Sequence, residues 1–296
     1  LTRPARRGIV RPRSLKEDVM GRYDGMQALQ VEVEKRVAWV TIDHPPVNLF
    51  DITLFLDLGR LVPLLEDDRD VQVIVFRSAD PEFFIAHADV SWILTLPETK
   101  PEPITEIGPF VALLERLRRM PKVSIGAIAG IARGGGSELL LSLDMRFAAR
   151  GKTRLAQPEV ALGIIPGGSG TQRLGRLVGR ARALEIILGC GDVGADEAAA
   201  IGYVNRALDE NELMPFVRAL AERIAAMPAE AVRLAKEAVD CALPPVEPGL
   251  VAEGERFNES VALPGARARM REFLAGGGQT RAVELTLGEL LGKLVG

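Results

Sequence analysis

Residues 31–34 read Val-Glu-Val-Glu, and after Lys35-Arg36 the apolar positions resume as Val-Ala-Trp-Val-Thr-Ile over 37–42. Alternation with a period of two on either side of a short polar break predicts a β-hairpin. Over 51–68 the apolar residues Leu54, Leu58, Leu61, Val62 and Leu65 fall at helical spacing, with Pro63 inside the pattern. A proline there is expected to break or kink the helix. Residues 71–76 form a β-branched run, as a parallel strand buried on both faces would. The alternation continues with a helix over 107–120, ended by Pro121-Lys122, and a buried strand over 123–129. Gly134-Gly135-Gly136-Ser137 then leads into a short helix over 138–143. Strands are predicted at 144–149, 153–156 and 203–207, and helices at 170–178, 182–188 and 195–201.

After residue 208 no further strand signal occurs. Residues 210–227 and 229–241 are amphipathic helices, and 253–275 is mostly helical. Strand–helix alternation followed by helices alone predicts an α/β core over 27–208 and a helical C-terminal region over 209–296. The first 26 residues differ in kind. Arg3, Arg6, Arg7, Arg11, Arg13, Lys16 and Arg22 oppose only Glu17, Asp18 and Asp24, and no apolar segment makes this a secretory signal. Residues 1–26 are therefore expected to be a disordered basic extension or an over-extended translation start, with an organellar transit peptide as the other reading.

Composition narrows the chemistry. A formal net charge of −3 over 296 residues argues against nucleic acid or an anionic membrane as partner. The longest strongly apolar stretch, 123–132, is too short to span a bilayer. Two cysteines, Cys190 and Cys241, make no disulfide framework and suit a reducing, cytoplasmic compartment. With only His44 and His87, a histidine-rich metal site is not expected. Familiar templates also fail. Gly151-Lys152-Thr153 lacks the glycine of a phosphate loop, since position 146 is Arg. Gly168-Ser169-Gly170 lacks the last glycine of a dinucleotide fingerprint, since position 173 is Arg. Neither Ser137 nor Ser169 lies in a nucleophile elbow.

Three segments remain. They are Phe83-Phe84-Ile85-Ala86-His87-Ala88-Asp89-Val90, then 128–139 with its glycine triplet, then Gln157-Pro158-Glu159 followed by Ile165-Pro166-Gly167-Gly168-Ser169-Gly170-Thr171-Gln172-Arg173-Leu174. Glycines that end a strand and open a helix present amides with no intrahelical acceptor, and without Cβ atoms they admit a ligand oxygen closely. Such a turn suits an anion, or a carbonyl that becomes an oxyanion during reaction. Glu138 sits in the first turn of that helix, beside the same pocket, and Glu159 follows a proline on a loop. Two carboxylates around one oxyanion site can divide general-base and general-acid work. Each feature alone reads differently: Glu138 as a helix N-terminal acid, Glu159 as a solvated loop charge, Asp89 as an N-cap, His87 as an exposed or hydrogen-bonded loop residue.

Gly-Gly-Gly-x-Glu-Leu, then Gln-Pro-Glu, then Ile-Pro-Gly-Gly-x-Gly-Thr-Gln-Arg-Leu resembles the enoyl-CoA hydratase/isomerase (crotonase) family, from about residue 29 to at least 241. The resemblance implies a crotonase-like spiral of ββα units with C-terminal helices that mediate trimerisation, as a homotrimer or a dimer of trimers. It implies an acyl-CoA thioester substrate, with coenzyme A as part of that substrate and no metal or other cofactor. It puts the oxyanion-binding amides on Ala88 and Gly135, and the paired glutamates of the hydratases on Glu138 and Glu159. By the same likeness Glu159 exchanges the proton at the α-carbon and Glu138 orients or activates water. Val47, Ala86 and Asp89 fall on coenzyme A-contacting stretches. The function implied is enoyl-CoA hydration in fatty acid metabolism. Isomerisation, hydrolysis or decarboxylation on the same scaffold stays open, as does a non-catalytic acyl-CoA-binding protein. Two departures stand out. His87 occupies a position where the family has glycine, and no lysine precedes Gly276-Gly277-Gly278 where the hydratases often have one near the coenzyme A phosphates.

Overall fold

The computed structural model describes residues 21–99 and 102–295. β1 (Leu29–Glu34) and β2 (Val37–Ile42) form the expected antiparallel hairpin. Its two-residue turn puts Lys35 and Arg36 at φ 50° and 65°, the left-handed pair that a tight hairpin needs to match strand twist. The helix Ile52–Asp67 runs unbroken through Pro63. Leu54, Asp57, Leu58, Leu61, Val62 and Leu65 are buried on both sides of the proline, so packing holds the helix across the missing hydrogen bond.

From there the chain alternates between two sheets. β3 (Val73–Ser78) joins the first and β4 (Phe83–Ile85) the second; β5 (Val123–Ile128) and β6 (Ile131–Arg133) repeat the step, as do β7 (Met145–Ala149) and β8 (Arg154–Ala156). β9 (Val193–Gly194) and β10 (Arg206–Leu208) close the two sheets. The six-stranded sheet has the order β1-β2-β3-β5-β7-β10, and the four-stranded sheet β4-β6-β8-β9. Each turn thus contributes one strand to each sheet, with parallel pairing of β3 to β5, β5 to β7, β4 to β6 and β6 to β8. This is the ββα spiral expected from the resemblance. β4 and β6 have three residues each, too short for a periodic signal, and neither is predicted as a strand.

Period two explains the unbroken apolar run of β3. Ile74 and Phe76 face the core shared with the helix Ile52–Asp67, whereas Val73 and Val75 face the opposite side. That opposite side is covered by the helix Glu210–Ala225 through Leu213, Val217, Ala221 and Ala225. The span 253–275 divides into two helices, Glu247–Val261 and Pro264–Ala275, because Pro264 opens the second at its first turn. Two more helices, Arg281–Leu285 and Leu287–Val295, follow the glycine run, inside the expected helical region over 209–296.

Residues 1–20 of the expected extension lie outside the described residues. The expected boundary at 27 needs correction: Tyr23 is buried, and its hydroxyl donates to Asp68 at 2.7 Å. An aromatic ring with an apolar surface to cover and a carboxylate within reach orders the chain before residue 27.

Candidate active site

Two turns, one from each of two successive units of the spiral, meet at the end of the four-stranded sheet. The first follows β4. Asn48, itself left-handed at φ 52°, donates through Nδ2 to the carbonyls of Phe83 and Phe84 and to Ser78 Oγ. Ala86 N donates to Val47 O at 3.1 Å. Phe50 then bridges Ala88: Phe50 N donates to His87 O at 2.9 Å, and Asp89 N donates to Phe50 O at 3.0 Å. In a parallel bridge the residue between those two partners turns its own N–H to the other side. The Ala88 amide therefore faces away from Phe50.

The second turn follows β6. Gly134 has φ +46°, and a Cβ there would lie 2.6 Å from Glu159 Oε1. A Cβ on Gly136 would lie 2.5 Å from Ile85 O. A Cβ on Gly135 would lie 3.2 Å from the Ala88 Cβ and 3.4 Å from Ala88 N, so the two turns are in contact. The helix Gly135–Leu141 starts here, which leaves the Gly135 amide without an intrahelical acceptor.

Glu138 is buried in the first turn of this helix, and Glu159 opens the 3₁₀ turn Glu159–Leu162. Glu138 Oε1 accepts from Gly168 N at 2.7 Å and Gly170 N at 2.9 Å. The alternate amides go to a third acid: Glu253 accepts from Ser169 N at 2.6 Å and Thr171 N at 2.9 Å, and from the Thr171 hydroxyl. Four successive amides thus donate alternately to two carboxylates, with Ser169 forced to φ 86°. Burial, and next the charge of Glu253, push Glu138 up to about 8. Burial, and next the charge of Glu138, push Glu159 well above the usual carboxylate range. Acids so perturbed can hold or release a proton near neutrality.

The geometry brings Ala88, Gly135, Glu138 and Glu159 into one place. Between Ala88 and Glu159 lies a cavity of about 30 Å³, walled by Val90, Ile93, Leu162, Ile164, Phe273, Leu287 and Leu291. The last three come from the C-terminal helices. Val47 and Ala86 are buried beside this turn in a small apolar cluster with Phe83 and Ile131. Asp89 caps the helix Val90–Ile93 by accepting from Ser91 N at 2.8 Å, and also accepts from Gln279 Nε2 at 2.9 Å. His87 is buried and hydrogen-bonded rather than exposed, with Nε2 3.0 Å from Glu284 Oε1. Sequence reading missed Glu253, Gln279 and Glu284. Each is a polar residue in helical or glycine-rich surroundings, with no local pattern that announces its role.

The sequence profile of the enoyl-CoA hydratase/isomerase family matches residues 32–261. The chain is 33% identical to a short-chain-enoyl-CoA hydratase of Clostridium acetobutylicum, over 82% of this chain and 93% of that protein. It is 32% identical to a crotonyl-CoA hydratase of Syntrophomonas wolfei, over 82% of this chain and 94% of that protein. Among solved structures, a Streptomyces avermitilis protein assigned as an enoyl-CoA hydratase superposes with a TM-score of 0.85 at 38% identity, covering 92% of this chain and 99% of that one.

Proposed function

Because this chain belongs to the enoyl-CoA hydratase/isomerase family, we propose that it adds water reversibly across the double bond of a trans-2-enoyl-CoA, giving the 3-hydroxyacyl-CoA. The observation that carries this reading is the pair of acids, Glu138 and Glu159, beside the paired turns, with Glu138 buried and held through one oxygen by the Gly168 and Gly170 amides. Attack of water at the β-carbon pushes charge onto the thioester oxygen. The Ala88 and Gly135 amides receive that charge without rearranging solvent, and a single such donor is typically worth roughly 3–4 kcal/mol. Glu138, with one oxygen held by two amides, uses the other to orient and deprotonate water. Glu159 delivers and removes the proton at the α-carbon. One acid alone would suit isomerisation or hydrolysis; two serve the two adjacent carbons that hydration changes.

The small apolar cavity closed by Phe273, Leu287 and Leu291 supports a short acyl chain. The coenzyme A portion lies along Val47, Ala86 and Asp89 in this reading. Hydration needs no redox cofactor, since water is the only other reactant and the proton added at the α-carbon balances the one lost by water. The helix Ala229–Asp240 buries none of its side chains, and Leu234 and Val239 on it are exposed. An uncovered amphipathic helix supports assembly through the C-terminal region, as a trimer or a dimer of trimers. Two free thiols, Cys190 and Cys241, support a cytoplasmic setting.

The test follows loss of the enoyl-thioester absorbance with crotonyl-CoA, with mass analysis of the product. A mass gain of one water is expected. Glu138→Gln and Glu159→Gln are each expected to lower kcat by about 10²–10⁴-fold. Unchanged rates in both variants, or a product without added water, would overturn the reading.

A further inference from the structure

His87 stands where the family pattern has glycine, and its ring bridges two distant parts of the chain. Nδ1 donates to Ala88 O at 2.7 Å, and Nε2 meets Glu284 Oε1 at 3.0 Å. A neutral imidazole carries one N–H, yet both nitrogens here face oxygen acceptors, a requirement that the imidazolium meets. Glu284 is fully buried, and the same Oε1 also accepts from Gln279 N at 2.9 Å, which favours the carboxylate.

The surroundings are defined. Arg133 NH1 lies 3.7 Å from Glu284 Oε2 and donates to the Glu284 carbonyl at 2.9 Å. The guanidinium is otherwise paired with Asp192, at 2.7 and 2.8 Å. Glu159 shares the small cavity with His87, and Phe273 packs its ring against the imidazole edge at 5.7 Å. Gln279 continues the grip: its Oε1 accepts from Val90 N at 2.8 Å, and its Nε2 donates to Asp89. The turn that presents the Ala88 amide is therefore held from the far end of the chain.

We propose that His87 is a positioning residue for hydration: as an imidazolium paired with Glu284, it fastens the C-terminal segment 279–285 to the turn that carries the Ala88 amide. This rests on the functional reading above. Burial pushes the His87 ring toward neutrality, but the Glu284 carboxylate outweighs it, and the ring titrates above its ordinary value. For Glu284, burial pushes the carboxyl up and the His87 charge more than offsets it, so it titrates below its ordinary value. The pair is intact while His87 keeps its proton. Turnover therefore falls on the alkaline side, with a limb above the ordinary histidine value of about 6.5.

Two measurements test this on the full-length enzyme. Nitrogen–proton NMR of the imidazoles is simple because the chain holds only two histidines. The His87 ring is expected to keep both N–H groups above the ordinary histidine value of about 6.5, and to lose one at lower pH in Glu284→Gln. In parallel, kcat and KM for crotonyl-CoA are measured against pH. Glu284→Gln, which preserves shape, is expected to move the alkaline limb to lower pH. His87→Ala is expected to lower kcat by about tenfold or more with a smaller change in KM, since displacement of a donor affects the reacting state most. A His87 ring that titrates at or below the ordinary histidine value, or wild-type kcat and pH profile in both variants, overturns the proposal. If His87→Ala does not fold, Glu284→Gln and the NMR of the wild-type ring still decide it. If the wild-type protein hydrates no enoyl-CoA, the functional reading fails, while the NMR result still decides the ion pair.

Discussion

The two turns that meet at the site are built in opposite ways. The turn at 134–136 is held by what it lacks: Cβ atoms there would strike Glu159, Ala88 and Ile85. Its Gly135 amide has no intrahelical acceptor because a helix starts there, a local event. The turn at 86–89 has side chains at every position and is held by what reaches it. Asn48 braces the strand before it, Phe50 bridges it, and Gln279 and Glu284 clasp it from the C-terminal segment. Glycine lets a turn set its own shape; a turn without glycine needs a scaffold of partners. The first design is sensitive to single additions of volume, and the second to loss of partners anywhere in the chain.

Gly136→Ala should break this comparison most severely. The added methyl meets the Ile85 carbonyl in β4 and drives the two turns apart. Loss of a correctly placed oxyanion donor is expected to lower kcat by about 10²–10³-fold, and overpacking to cost about 1–3 kcal/mol in urea unfolding. Stability near the wild-type value together with unchanged kcat would show that the turns do not depend on their close contact.

Asn48→Ala should have the next largest effect, and on the first turn alone. It leaves the buried carbonyls of Phe83 and Phe84 without the Asn48 donor, at an expected cost of about 1–3 kcal/mol. A change in kcat larger than that in KM is expected, because the Ala88 turn follows directly on β4. Equal loss in kcat/KM through KM alone would place Asn48 in substrate binding instead.

Glu253→Gln should leave both turns in place and change only the acid between them. Burial is the main cause of the raised Glu138 value of about 8, and the Glu253 charge is next. Removing that charge is expected to move the acid limb of kcat, where Glu138 must lose its proton, to lower pH. The stability argument has the same direction. A carboxyl raised in the folded state contributes stability that is fully present below its unfolded value. That contribution is lost as the pH rises toward about 8. Glu138→Gln should accordingly flatten the decline in unfolding midpoint over that interval. A decline as steep as that of the wild type would assign it to other groups.

Much of the site is legible in the amino-acid sequence alone. The glycine triplet, Glu138 and the Gln-Pro-Glu segment lie within short stretches whose backbone consequences are local. The parallel core strands are readable for the same reason, since β-branched runs declare burial on both faces. Three of the four strands of the second sheet are not, because β4, β6 and β9 have only two or three residues each and depend on their neighbours for pairing. Pro63 reads as a break because propensity is local, whereas the packing that carries the helix past it is not.

By itself the sequence determined that the turn at 134–136 could offer free amides and that Glu138 would sit beside it. Those properties follow from residues within one or two helical turns of each other. Only the tertiary structure decided that His87 would be a buried partner of Glu284, 197 positions away, and that Glu253 would add to the charge felt by Glu138. Charge and burial depend on what surrounds a group in space, and chain neighbours supply only a small part of that surrounding.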